Sequence, residues 1–205
     1  DDWSDMMSGF DIPYIASMGA FDKDDWEYYK QDIEHNFDND IVCEGITGDQ
    51  MTCTFKGISL VMSGVGTTFT TQGHLTYIND SLNSDKEWKF CVWNKANKDL
   101  RISSKEDNDN LIMDYYDVCR KKGALIITGY DQAYARTKML GSFEPITTID
   151  NYVLAPEKTI LFMSGLGGYA NETYNCTNHD TDTWWSTIFT ENYYLNKGLE
   201  IAKSC

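Results

Sequence analysis

The chain has 205 residues and carries 17 basic against 32 acidic side chains, a formal charge of −15 at neutral pH. Such a surface repels phosphate backbones and anionic lipid, which excludes a nucleic-acid binder and a polybasic membrane-surface protein. With 41% hydrophobic residues the chain can bury a core, and no run approaches the ~20 apolar residues of a membrane span.

In chain order, Ile12–Ser17 reads as a short buried strand with Pro13 near its start. Asp24 to Phe37 reads as a helix, acidic in its first turn, with Trp26, Tyr29, Ile33 and Phe37 at helical spacing. Thr52–Phe55 and Ile58–Ser63 pair as strands about Lys56-Gly57, after which Gly64 and Gly66 open a Thr-rich loop. Trp88–Trp93 is a further strand, and residues 94–110 are polar and irregular. Leu111, Ile112, Tyr115, Val118 and Cys119 mark one face of a helix that stops before Gly123. Ala124–Thr128 and Thr159–Met163 are continuous apolar strands of a sheet covered on both faces, and the aromatic tail from Trp184 packs down. Mixed strands and helices without a repeat or long linker predict a single α/β domain over 1–205.

Six cysteines fit a disulfide set, and none forms C-x-x-C. Cys43 and Cys53 bracket a polar turn between strand-like runs and are the easiest pair to place. Cys91 and Cys119 can join if the helix packs beside the strand, which leaves Cys176 for Cys205; one or two free buried thiols are the alternative. Three N-x-[ST] sequons, at Asn79, Asn171 and Asn175, are candidate glycosylation sites. Together with the cysteines they predict a secreted, extracellular glycoprotein. The start at Asp1, without Met or a leader, reads as a processed product.

Four segments, each closing a predicted strand and in the right order, resemble the C-terminal half of the calcineurin-like (purple-acid-phosphatase-like) metallophosphoesterases. They are Ile12 to Asp22, against a strand ending in G-N-H-D; Trp88 to Asn97, against W-H-K-N; Gly123 to Thr137, against G-A-x-I-x-T-G-H-x-H-S-Y-S-R-T; and Phe162 to Gly168, against V-S-G-L-G-G. The resemblance implies a layered α/β fold, a β-sandwich flanked by helices, with a site at the strand ends. It also implies that the N-terminal half, which supplies D-x-H and G-D, is lacking.

The family's ligand positions fall on Ala20, Phe21, Asp22, Asn94, Tyr130 and Gln132. Ala and Phe offer no lone pair, and neutral Asn and Gln replace imidazole poorly on zinc or iron. A binuclear hydrolase needs its cations to make hydroxide and to hold the transferring phosphoryl group. The expectation is therefore a degenerate site with no catalytic residue, metal or cofactor, Phe21 and Tyr130 filling the former metal space.

Elsewhere, His35 falls on a helix, His74 in the Thr-rich loop and His179 in a solvated loop with Asp180 and Asp182. Asp107–Asn110 lacks the third ligand and the Gly of an EF-hand. Gly165–Gly168 lacks the Lys-Ser/Thr of a phosphate loop, and Gly48-Asp49 reads as a turn. The primary expectation is a pseudoenzyme acting as a structural or adhesive subunit of an extracellular assembly. Homo- or hetero-oligomeric partners would cover a strand left open at Ser17. One alternative is a phosphoesterase completed by an N-terminal companion chain. The other is a glycan- or protein-binding module using Tyr28-Tyr29, Tyr115-Tyr116, Trp184-Trp185 and Tyr193-Tyr194.

Overall fold

The computed structural model describes residues 14–37, 40–67, 71–103, 111–166, 172–179, 181–192, 194–196 and 199–201, with Asp5, Met7 and Gly9. Among them the helices are α1 (Trp26–His35), α2 (Thr71–Ser81), α3 (Asp114–Lys121) and α4 (Cys176–His179). The strands are β1 (Val42–Ile46), β2 (Gln50–Phe55), β3 (Ile58–Ser63), β4 (Trp88–Trp93), β5 (Leu125–Thr128), β6 (Tyr134–Thr137), β7 (Leu140–Phe143), β8 (Ile146–Thr148), β9 (Leu161–Ser164), β10 (Trp185–Phe189), β11 (Tyr194–Asn196) and β12 (Leu199–Ile201). The result is mixed α/β, a large sheet flanked by helices, as expected.

One ten-stranded sheet runs β1-β2-β3-β4-β5-β9-β6-β10-β11-β12, while β7 and β8 form a separate hairpin. Its centre, β3 to β4 to β5 to β9, is parallel, and both flanks are antiparallel. The predicted hairpin about Lys56-Gly57 is present, with Phe55 opposite Ile58. Lys56 and Gly57 have φ of 44° and 88°. Positive φ at both central residues is what a two-residue turn between right-twisted strands requires.

Period-two alternation separates the faces of this sheet. On one, Val61, Cys91, Trp93, Ile126, Leu161, Met163, Ala135 and Ile188 join the main core, with Ile78, Leu82, Tyr115 and Tyr116 from α2, α3 and their flanks. On the other, Met51, Cys53, Met62, Leu60 and Val92 pack against Ile15, Phe37 and Ile41. Cys43 and Cys53 are directly opposed in the β1–β2 ladder and bonded, and Cys91 on β4 is bonded to Cys119 on α3. The two bridges thus lie on opposite faces. Cys176 is also disulfide-bonded; Cys205 lies outside the described residues.

Three expectations are corrected. Tyr14 to Gly19 forms no strand: Met18 N–H donates to Gly48 O at 2.9 Å, but no ladder follows, so no open strand ends at Ser17. Part of the Thr-rich segment is helix α2, which packs on β2, β3 and α3. His179 is not in a solvated loop. It ends α4, its side chain is 8% exposed, and its Nδ1 lies 2.9 Å from the equally buried Asp182 Oδ2. No helix among the described residues is long and apolar enough to cross a membrane.

Candidate functional site at the strand ends

Because β3, β4, β5 and β9 are parallel, the loops leaving them emerge on one side of the sheet, where open α/β sheets bind ligands. Asn94 follows β4 and organises these loops. Its carbonyl accepts the Gly129 N–H at 3.1 Å. A β-carbon on Gly129 would lie 3.2 Å from Asn94 Nδ2, and one on Gly19 would lie 3.7 Å from it. The amide is therefore wedged between two glycine turns. Asp22 closes the first turn, its Oδ2 accepting the Gly19 N–H at 3.0 Å. Gly165, after β9, approaches so closely that a β-carbon would meet Asp131 O at 2.0 Å.

Of the predicted positions, Asp22, Asn94 and the Gly129–Tyr130 turn come together here. Ala20 is exposed, and Phe21 is 92% exposed. The expectation that Phe21 fills this space is therefore wrong: its ring faces water. Gln132 is half-buried and its carbonyl accepts the Glu172 N–H at 2.9 Å. Tyr130 has φ of 78°, and two cations lie near its ring, with Lys95 Nζ 5.7 Å and Arg101 Cζ 5.0 Å from the centroid. Both cations are almost wholly buried. Such pairs gain from the negative face of the ring when water is excluded.

Sequence reasoning missed Lys95, Arg101 and Asp131. Asp131 is fully buried and accepts three hydrogen bonds, from Ile102 N–H (2.9 Å), Ser103 N–H (3.1 Å) and Ser103 Oγ–H (2.9 Å). Beneath the loops, the Tyr116 hydroxyl accepts the Asn97 N–H at 2.9 Å, and its ring packs edge-on to Trp93. Burial pushes that hydroxyl well above the usual tyrosine range.

A second buried network lies under the β3 end. Ser63 Oγ is 2.9 Å from His74 Nδ1, and His74 Nε2 is 3.5 Å from Asp49 Oδ1. The residue types are those of a hydrolytic triad, but Ser63 and His74 are both 0% exposed and no substrate can reach the hydroxyl. The network ties the Gly48-Asp49 turn and β3 to α2. Burial lowers the His74 pKa, the Asp49 carboxylate pulling the other way. A histidine held neutral in the folded state adds stability above its unfolded pKa of ~6.5, and that stability is lost as pH falls from there toward the folded pKa. Unfolding free energy should drop over that window, and His74→Gln should flatten the drop. Urea titrations giving both proteins the same pH slope would refute this.

Among the described residues no cluster of three or more His, Cys, Asp or Glu is placed to hold a metal ion. Among the described residues the carboxylates of these loops are Asp22 and Asp131, and each accepts hydrogen bonds from the protein itself, while Asn94 offers a neutral amide where an imidazole would be needed. These residues do not fit a binuclear centre.

No family model matches the chain, and no curated protein matches it. Among solved structures it is similar to a purple acid phosphatase isolated from yellow lupin (Lupinus luteus) seeds, with a TM-score of 0.49 and 14% identity. That match covers 70% of this chain and 26% of the phosphatase. It is also similar to PhoD, with a TM-score of 0.31 and 8% identity, over 63% of this chain and 30% of PhoD. The chain thus spans less than a third of either protein's length.

Proposed function

We propose that this chain is a non-catalytic, secreted, disulfide-bonded glycoprotein on a metallophosphoesterase-like scaffold, serving as a structural or adhesive subunit. The observation that carries the reading is the content of the strand-end junction. Where a two-metal hydrolase gathers imidazoles and carboxylates around its cations, these loops gather an amide, two buried cations and a tyrosine ring, and their carboxylates, Asp22 and Asp131, accept protein N–H and O–H groups. A guanidinium and an ammonium in a water-poor site repel divalent cations rather than bind them. The loops otherwise retain the glycines and hydrogen bonds that shape the backbone.

The second strut is the sheet itself. The face opposite α3 carries Phe90, Leu125, Ile127, Phe162 and Tyr134, half-buried, and Trp88 and Phe189, more than 40% exposed. An apolar face of this extent favours a partner surface, at ~25 cal/mol per Å² buried. Two bonded cysteine pairs and the half-exposed sequon residues Asn79 and Asn175 fit secretion and glycosylation. Asn171 lies outside the described residues.

The test is metal analysis of the purified protein with a generic phosphoester assay. The expected result is no stoichiometric zinc, iron or manganese and no turnover. A stoichiometric metal with turnover would overturn the proposal in favour of a phosphoesterase completed by a companion chain.

A further inference from the structure

At the other end of the parallel strands, where β4 begins and α3 hands over to β5, the surface holds a groove of ≈ 460 Å³. That is within the ~300–1,000 Å³ range of small-ligand sites. Its lining includes two large rings, Trp88 (47% exposed) and Tyr152 (60% exposed). The charged residues of the lining are Lys86, Lys89, Lys122 and Glu87. Lys86 is paired with the exposed Asp85 at 3.4 Å, so Lys89 and Lys122 against Glu87 leave the lining a small positive excess on a protein that is acidic overall.

The groove is built rather than incidental. One wall, residues 152–156, is pressed onto the end of α3: a β-carbon on Gly123 would lie 2.7 Å from the Ala155 carbonyl carbon and 2.9 Å from Pro156 N. The segment is anchored just beyond by Arg120, whose Nη1 donates to Glu157 O at 3.0 Å and Oε2 at 2.6 Å. Lys122 is held by Asn83 Oδ1 at 2.6 Å. The two exposed rings share this lining with the lysines.

We infer that this groove binds an acidic carbohydrate, a sugar chain bearing carboxylate or sulfate groups. Aromatic faces take the apolar C–H faces of sugar rings, while the lysines take the anionic substituents. A peptide added as a strand has no purchase here, because β4 is already paired on both sides, with β3 and β5. The groove lies at the far end of the strands from Asn94, so the inference does not rest on the reading of that junction.

The test is calorimetric titration of the full chain with four probes: a galacturonic acid hexamer, sulfated maltohexaose, maltohexaose and hexaglutamate. Binding of either acidic sugar, weakened by added salt and reported by Trp fluorescence, is expected; which one binds identifies the anionic group. Tyr152→Ser and Lys89→Gln should each weaken it about tenfold, with unchanged circular dichroism, and Lys30→Gln on α1 should have no effect. Equal binding of maltohexaose, equal binding of hexaglutamate, no binding of either acidic sugar, or indifference to both groove variants would each overturn the inference.

Discussion

Asp131→Ala should remove about 4 kcal/mol of stability or more, a large part of the ~5–15 kcal/mol typical of a folded domain. The carboxylate is fully buried and accepts two backbone N–H groups and one hydroxyl. Hydrogen bonds to a charged acceptor contribute roughly 1.5–3 kcal/mol each, and donors stranded in the interior pay their desolvation in full. Alanine strands all three. Asp131→Asn should cost about half as much, because one oxygen still accepts while the amide NH₂ faces a donor. Urea unfolding with an unchanged m-value measures both losses. Faster hydrogen exchange at the Ile102 and Ser103 amides would place the damage, and a loss below ~1 kcal/mol for alanine would refute the argument.

Removing the Cys91–Cys119 bridge should cost more than removing Cys43–Cys53. The chain-entropy model gives about 3.6 kcal/mol for a separation of 28 residues and about 2.7 kcal/mol for 10. Context widens the gap. Both Cys91 and Cys119 are 0% exposed and join a central strand to the helix that covers it, so a Cys91→Ala/Cys119→Ala protein also gains a cavity. Cys43 and Cys53 are already held opposite one another by the β1–β2 ladder. Thermal or urea unfolding of the two double variants decides it, and equal losses, or a greater loss at the edge pair, would contradict the ranking.

What the sequence disclosed depended on whether the signal was local. β3 and β4 are legible to the residue because each is a mostly apolar run, interrupted inside only by Ser59 and by Lys89, between flanking polar or glycine residues. α2 escaped because Thr71, Gly73 and Thr76 are poor helix formers; it is held by the burial of Ile78 and Leu82 rather than by propensity. Ile12–Ser17 has strand composition; Ile12 and Pro13 lie outside the described residues, and among the described residues no strand pairs with Tyr14–Ser17. At the site, the glycine turns are visible in the motifs, and Asn94 is the position expected. Lys95 and Arg101 are not, since nothing in a polar stretch says that its cations will fold back onto a tyrosine about thirty residues away. The His179–Asp182 pair reads as solvated from its polar neighbours, but it is covered by nearby aromatic residues, Trp185 Nε1 donating to Asp182 and the Tyr174 hydroxyl to His179 O.

The strand order carries a consequence for the growing polypeptide. β6 follows β5 in the chain, yet β9 lies between them in the sheet. During synthesis β6 leaves the ribosome with no final neighbour on that side, and it cannot dock on β5 without filling the berth that β9 must take. The meander β1-β2-β3, by contrast, pairs within itself through two successive hairpins and can close as soon as it emerges. One flank is therefore complete long before the other, and β6, four residues long with Arg136 and Thr137 in it, waits for both of its neighbours.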